Sequence, residues 1–220
     1  MKKVSPAPQA GVPAEMSLAA ARQWTERRIS KKRFEHVVGV AEVGDELAQK
    51  AGVDRFLVGL ACWLHDSCKE IKDKELVEMA RQAGLNLNQI EEENGHLLHG
   101  PVAAFTIRQE LGISNTEVLA AISEHTLGNA PMSDISKVVF LADCLEKSRP
   151  TSFTGPIWEA LDSPATDKKK KQVNLAKAML KASDLSLGHL LESGRVIHPK
   201  TVDVRNYFLG IVRAVEKAKV

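Results

Sequence analysis

Apolar side chains recur every three to four residues along most of this 220-residue chain. That spacing is the period of an α-helix with one face turned toward a core. No segment alternates apolar and polar residues as a half-buried strand does, and the sequence contains no internal repeat. The pattern therefore predicts an all-α fold. We expect one domain over 16–220 with a C-terminal helical extension, preceded by a disordered tail over 1–15.

Capping residues and glycines set the limits of the predicted helices. We place these helices at about 17–29, 31–51, 54–66, 73–83, 101–111, 115–126, 133–147, 168–193 and 199–218. Residues 89–93 are predicted to form a short acidic turn. The segment 148–166 contains three prolines and a glycine and is predicted to be loop with one short helix at most. Gly100-Pro101 is predicted to start a helix, since proline at the first helical position loses no hydrogen bond.

Composition limits the classes of partner. The formal net charge of +2 gives no electrostatic reason to expect nucleic acid. No apolar run approaches the roughly 20 residues that cross a bilayer, and 1–15 has no apolar leader. The cysteines are odd in number and lack CxxC spacing, so we expect reduced thiols in a cytoplasmic protein. An apolar stripe on the 168–193 helix suggests a homodimer, and Lys168 to Lys171 are expected to form a solvated helix face.

Six polar side chains occupy apolar stripes or helix ends, where they should face the core: His36, His65, Asp66, His99, His125 and Asp143. Burying such groups costs free energy unless a partner satisfies them. Taken singly, each is more often a hydrogen-bonded core histidine, a cap or an ion-pair partner. Six of them in one core are hard to satisfy without a cation. The set therefore predicts a metal site with two metals. Cys68 is close enough to be a further ligand, although a buried thiol is the simpler interpretation.

Six ordered motifs extend this pattern. They are KRFEH (32–36), WLHDSCKEI (63–71), LLHGPVAA (97–104), ISEHTLG (122–128), VFLADCLEKSR (139–149) and GRVIHPKTV (194–202). In this order they resemble the YqeK family of HD-domain hydrolases, over about residues 18–210. The resemblance implies an HD-domain helical bundle. It also implies an enzyme that splits diadenosine tetraphosphate symmetrically into two ADP.

The resemblance also implies roles for individual residues. His36, His65, Asp66 and Asp143 would hold one metal, His99 and His125 would hold the second, and Asp66 would bridge. The cofactors would be two divalent transition metals, with iron favoured and Mn, Co, Ni or Zn compatible with the ligands. Asp66 and Lys69 are the predicted catalytic residues. The predicted substrate contacts are Arg33, Thr126, Gly128, Glu146, Arg149 and His198.

The expected mechanism is attack of a hydroxide, generated at the two metals, on the polyphosphate bridge. Lys69 and Arg149 would neutralise phosphate charge. The alternative for Lys69 is a solvated lysine at a helix end. The alternatives for Arg33 are a surface position or orientation of the site from outside the ligand set.

Other functions stay open from the sequence alone. A nucleotidase, a deoxynucleotide triphosphohydrolase and an alarmone hydrolase would use the same chemistry. A nucleotide-sensing module without turnover, or a structural metal site, would belong to a different class. Structural sites usually have four ligands, so six candidates favour catalysis. His96 and His189 receive no role.

Overall fold

A computed structural model describes residues 9–163 and 173–218. The described residues form eleven α-helices and one 3₁₀ helix, and none of them is in a β-strand. The helices are α1 Leu18–Glu26, α2 Lys31–Ala51, α3 Arg55–Leu64, α4 Asp73–Gln82, α5 Gln89–Glu93, α6 His99–Leu111, α7 Thr116–Glu124, α8 Asp134–Leu145, α9 Thr151–Asp162, α10 Leu175–Glu192 and α11 Pro199–Lys217. The 3₁₀ helix is Gly95–Leu98 and runs directly into α6. The all-α prediction is confirmed.

The bundle is centred on α2, which packs against both α3 and α8. Helix α7 lies against α3, α6 and α8, and α10 packs on α8, α9 and α11. The predicted stripe of α2 is buried, with Val40 and Leu47 fully inaccessible and Val43 nearly so. Gly44 permits the close approach of α2 and α3, because a Cβ there would lie 2.5 Å from Sγ of Cys62. The helices that carry the candidate ligands are therefore in direct contact.

Side-chain caps fix where several helices begin. The hydroxyl of Ser30 accepts the backbone N–H of Arg33 at the start of α2, and Asp54 accepts two N–H groups at the start of α3. Residues 89–93 form a short helix instead of a turn, because Asn88 and Glu91 make a reciprocal capping box. Such caps satisfy the free N–H groups of a first turn.

Two predicted boundaries differ from the structure. The segment 148–166 contains the 12-residue helix α9, where loop with one short helix at most was predicted. Pro156 lies inside this helix and removes one N–H donor, but burial of Ile157 and Leu161 outweighs that loss. Helix α6 begins at His99, so Pro101 is its third residue rather than its first.

The chain ends also differ in part from the prediction. Within the predicted tail, the carbonyl of Gly11 accepts the N–H groups of Ser114 and Asn115, at 2.7 and 2.9 Å. Gln9 donates to Asp54 at 2.7 Å. Residues 9–15 thus lie against the domain, while 1–8 fall outside the described residues. Lys168 to Lys171 also fall outside, and the described helix of that region starts at Leu175. No described helix is long and apolar enough to cross a membrane.

Candidate metal centre

Five helices bring the six predicted side chains to one place. His36 comes from the second turn of α2, His65 and Asp66 follow α3, His99 opens α6, His125 follows α7, and Asp143 lies in the last turn of α8. The carboxylate of Asp66 is at the centre. Its Oδ1 lies 3.4 Å from Nε2 of His99 and 3.5 Å from Nε2 of His125. Its Oδ2 lies 3.7 Å from Nε2 of His36 and 3.5 Å from Nε2 of His65.

The ligand atoms fall into two groups that share Asp66. His36, His65 and Asp66 form one group, and Asp66, His99 and His125 form the other, each with its ligand atoms within 4.8 Å of one another. Asp143 joins the first group through Oδ1, which lies 3.1 Å from Nε2 of His36. The candidate ligands are thus divided between two possible metal positions that share the carboxylate of Asp66, which is the division that the resemblance implies.

Backbone carbonyls set the tautomer of three rings. Nδ1 of His65 lies 2.7 Å from the carbonyl of Cys62, Nδ1 of His99 lies 2.5 Å from that of His96, and Nδ1 of His125 lies 2.7 Å from that of Ile122. A carbonyl only accepts, so each Nδ1 carries the proton. Each neutral ring therefore turns an Nε2 lone pair toward Asp66, as a metal ligand requires.

These lone pairs test whether a cation fits the site. Nε2 of His99 and Nε2 of His125 lie 2.9 Å apart. The hydroxyl of Thr126 lies near both nitrogens, at 3.0 and 3.2 Å, but has one proton to give. Nε2 of His65 is buried and has no hydrogen-bond partner within 9–163 and 173–218. The facing lone pairs of His99 and His125 and the unpaired buried Nε2 of His65 fit bound cations, because a cation accepts electron pairs from all three nitrogens.

Burial and charge keep His65, His99, Asp66 and Asp143 in the protonation states that metal binding needs, whereas His36 is shifted toward its protonated form. Burial lowers the pKa of His65 and of His99 to about 4, so both rings are neutral near pH 7. Burial alone would raise the pKa of Asp66, but the surrounding histidines outweigh it and hold that pKa well below its usual value. Burial alone would likewise raise the pKa of Asp143, but its contact with His36 and the nearby His65 and His125 together lower that pKa. Burial alone would lower the pKa of His36, but Asp143 and Asp66 together raise that pKa.

Comparison with known proteins places this cluster in a family. The model of the HD domain matches residues 33–148, slightly more than half of the chain. The chain belongs to the HD-domain family. The symmetrical bis(5'-nucleosyl)-tetraphosphatase of Staphylococcus aureus is 31% identical, across 88% of this chain and 95% of that protein. The protein of the same name from Halalkalibacterium halodurans is 30% identical, across 88% and 98%.

A solved structure agrees with the sequence comparisons. The HD-superfamily hydrolase of Clostridium acetobutylicum, described as involved in NAD metabolism, is 26% identical and superposes with a TM-score of 0.79. The match covers 89% of this chain and 98% of that one. The predicted resemblance and the HD-domain fold are confirmed, and the chain is an enzyme of the metal-dependent phosphohydrolase class.

Two neighbouring cavities lie beside the HD-domain centre. A pocket of about 180 Å³ is bordered by His99, His125, Asp143, Lys69 and Arg149. A larger cleft of about 1040 Å³ extends from it toward α10 and α11. The larger cleft does not touch the ligand cluster, but both cavities share the walls formed by Thr126, Phe140, Arg149 and Phe153. The small pocket therefore connects the cluster with a cleft of nucleotide size.

Several predicted site residues of this HD-domain protein border the cluster. Nζ of Lys69 lies 3.4 Å from Nε2 of His99. Burial lowers the pKa of Lys69, although Asp66 and Asp143 act in the opposite direction. Arg33 donates to Oδ2 of Asp66 at 3.1 Å, and Arg149 donates to Oδ1 of Asp143 at 3.1 Å. Arg33 is thus placed to orient Asp66, which was the alternative named for it.

Three predicted substrate contacts are placed differently by the structure. Gly128 donates its N–H to the carbonyl of Glu124 at 2.8 Å and, with φ of 72°, closes the turn that follows α7, so that N–H is not free for phosphate. His198 lines the large cleft, but both of its ring nitrogens are engaged, Nδ1 by the N–H of Lys200 and Nε2 by the amide of Asn88, so it also caps α11. Glu146 is turned toward His36 rather than the cavities.

Two residues considered above lie outside the two ligand groups, and two aromatic residues beside the cavities were not predicted. Cys68 points to the hydroxyl of Thr106 and lies outside both ligand groups, so the buried-thiol interpretation holds. His96 is exposed and pairs with Asp73. The walls formed by Phe140 and Phe153 were not predicted. Phe153 follows Pro150 in a segment that looked like loop, and no periodicity pointed it toward the site.

Proposed function

We propose that this HD-domain protein hydrolyses diadenosine tetraphosphate symmetrically to two ADP, with two divalent metals held by the predicted ligands. The observation that carries the proposal is the carboxylate of Asp66 shared by two three-residue ligand groups. The names of the two relatives at 30% identity or above supply the substrate class.

The proposed ligands are His36, His65, Asp66 and Asp143 for one metal and Asp66, His99 and His125 for the other. Histidine and carboxylate ligands suit iron, and they also suit Mn, Co, Ni or Zn. When bound, such metals supply a nucleophilic water near neutral pH and polarise phosphate oxygens. The chain's own residues bind and orient the polyphosphate around that chemistry.

Lys69 and Arg149 are the cationic side chains that border the small pocket. Both are suited to neutralise phosphate charge that grows as the central anhydride breaks. Arg149 borders both cavities, so it can contact a phosphate chain that runs from the cluster into the large cleft. Phe140 and Phe153 offer apolar walls for a nucleoside in that cleft.

Symmetrical cleavage follows from where the water oxygen is added. The new bond joins that oxygen to one of the two inner phosphorus atoms. The bond from that phosphorus to the central bridging oxygen breaks, and the bridging oxygen leaves with the other half. Each half is then ADP, and one water is consumed.

Product analysis tests the proposal. Protein purified anaerobically is analysed for metal and incubated with diadenosine tetraphosphate, and the products are separated by chromatography. ADP as sole nucleotide product, with about two metals per chain, is the expected result. ATP with AMP would show asymmetrical cleavage. Nucleoside with phosphate would indicate a nucleotidase, and binding without turnover would indicate a sensing module.

A further inference from the structure

The four clustered histidines are not held in the same way. Three of them follow or open a helix, and their Nδ1 atoms lie against the carbonyl three residues earlier. The carbonyls of Cys62 and Ile122 lie in the last turns of α3 and α7, where carbonyl groups lack an intrahelical partner, and that of His96 lies in the 3₁₀ helix before α6. The local backbone is therefore sufficient to orient these three rings.

For His36, no carbonyl of the preceding turn is free to accept a hydrogen bond from Nδ1. It is the sixth residue of α2, which continues to Ala51. The carbonyls of the preceding turn are used by the helix itself. Its Nδ1 instead faces Oε1 of Glu146 at 3.4 Å, while its Nε2 faces Asp143 and Asp66.

The carboxylate of Glu146 is held in a site built around it. Glu146 follows α8 and is 3% exposed. The N–H of Ser148 donates to its Oε2 at 3.1 Å, and the hydroxyl of Ser148 donates to its Oε1. Gly39, one turn beyond His36, leaves the space it fills, since a Cβ at Gly39 would lie 3.0 Å from Oε2.

We propose that Glu146 is a positioning residue that accepts a hydrogen bond from the Nδ1–H of His36. This contact presents Nε2 of the ring to the metal held by His36, His65, Asp66 and Asp143. The inference rests on the proposed metal centre and goes beyond it. It replaces the predicted substrate contact of Glu146 with a role in metal binding. A carboxylate behind a ligating imidazole fixes the ring and strengthens it as a donor.

Three variants separate positioning from folding. Glu146→Ala removes the acceptor. Glu146→Gln keeps the size, but its one carbonyl oxygen cannot serve both Ser148 N–H and His36. If the amide nitrogen turns to His36, Nδ1 loses its proton and Nε2 gains one, which blocks coordination. Gly39→Ala leaves Glu146 in the sequence, improves helix propensity and pushes the carboxylate away by its added methyl group.

The test is titration of chelated, metal-free protein with Co²⁺ alone, followed by calorimetry and by the visible absorption of the bound ion. We expect about 10- to 100-fold weaker binding at one of two positions in all three variants, with an altered absorption spectrum at that position. Asp73→Asn is the matched control, because Asp73 faces Nδ1 of the exposed His96 at 3.2 Å in the same way. It should bind Co²⁺ like the wild type.

Two results would overturn the inference, and they are distinguishable. Unchanged Co²⁺ affinity and an unchanged spectrum in the Glu146 and Gly39 variants would refute the positioning role of Glu146 but not the metal centre. A wild-type protein that binds no Co²⁺ would remove the metal centre itself, and the positioning role with it.

Discussion

At the residue scale, the single carboxylate of Asp66 serves both groups of candidate metal ligands. Its two oxygens face different pairs of histidines, and Oδ2 also accepts from Arg33. The residue comes directly after His65, at the end of α3, where the chain leaves the helix. A carboxylate with one oxygen for each group is what a shared ligand requires, and an amide cannot supply it.

Replacing Asp66 by Asn should therefore weaken both metal positions together. We expect a loss of metal affinity and turnover greater than the ~10- to 100-fold typical of outer partners. Metal analysis and ADP formation measure the two effects. Asp45→Asn is the control, because Asp45 forms an exposed bidentate pair with Arg55 away from the cluster and such pairs contribute little. Retention of two metals and full turnover by Asp66→Asn would contradict the assignment.

At the scale of elements, glycine allows two helices to bring their histidines together. Gly100 follows His99 at the start of α6, where a Cβ would lie 2.9 Å from the carbonyl of Ile122 and 3.2 Å from Nδ1 of His125. That same carbonyl accepts from Nδ1 of His125. The close approach of α6 to α7 thus keeps His99 and His125 within reach of one ion.

Gly100→Ala should separate these two helices, since the two nearest atoms are the backbone carbonyl oxygens of Ile122 and Ser123, which cannot turn aside. We expect weaker metal binding at the His99 and His125 position, with the His36 and His65 position less affected. Gly210→Ala is the matched control, because Gly210 lies within α11 and a Cβ there meets nothing within 4 Å. That control should raise the free energy of unfolding by about 0.5–1 kcal/mol. Equal metal binding by Gly100→Ala and the wild type would refute the argument.

At the scale of the whole molecule, the cluster makes stability depend on pH. His65 and His99 have a pKa of about 4 in the fold, against 6.5 for a free ring. The unfolded chain therefore binds more protons between these values, so stability is fully present above pH 6.5 and is lost as pH falls toward 4. His36, whose pKa is raised, acts in the opposite direction and offsets part of the effect.

Metal-free protein should lose several kcal/mol of unfolding free energy, on the order of 2–4 kcal/mol per neutral ring, between pH 6.5 and 4. Urea unfolding at a series of pH values measures this slope. His65→Gln should reduce the slope, whereas His189→Gln, at an exposed ring, should leave it unchanged. Bound metal should be released over the same range, because protons compete for the same nitrogens. A flat profile of the metal-free protein would contradict the burial argument.

Much of the fold and of the ligand set could be predicted from local sequence. Helix period, caps and glycines place α2, α4 and α8 nearly as the structure has them. The apolar stripes correctly predicted that His36, His65 and His125 face the core. The segment 148–166 was misjudged because propensity penalises Gly155 and Pro156, while the burial that offsets this penalty comes from α8 and α10. Local pattern carries no information about such contacts.

The sequence by itself determined that polar ligands would face an apolar helical core, because a 3.6-residue period fixes which face each side chain occupies. Only the tertiary structure decided the partners of those side chains. It assigned Gly128 and His198 to helix ends and Glu146 to His36, and it put Phe153 beside the small pocket. These are contacts between helices distant in sequence, set by how the bundle packs, and no periodicity within one helix encodes them.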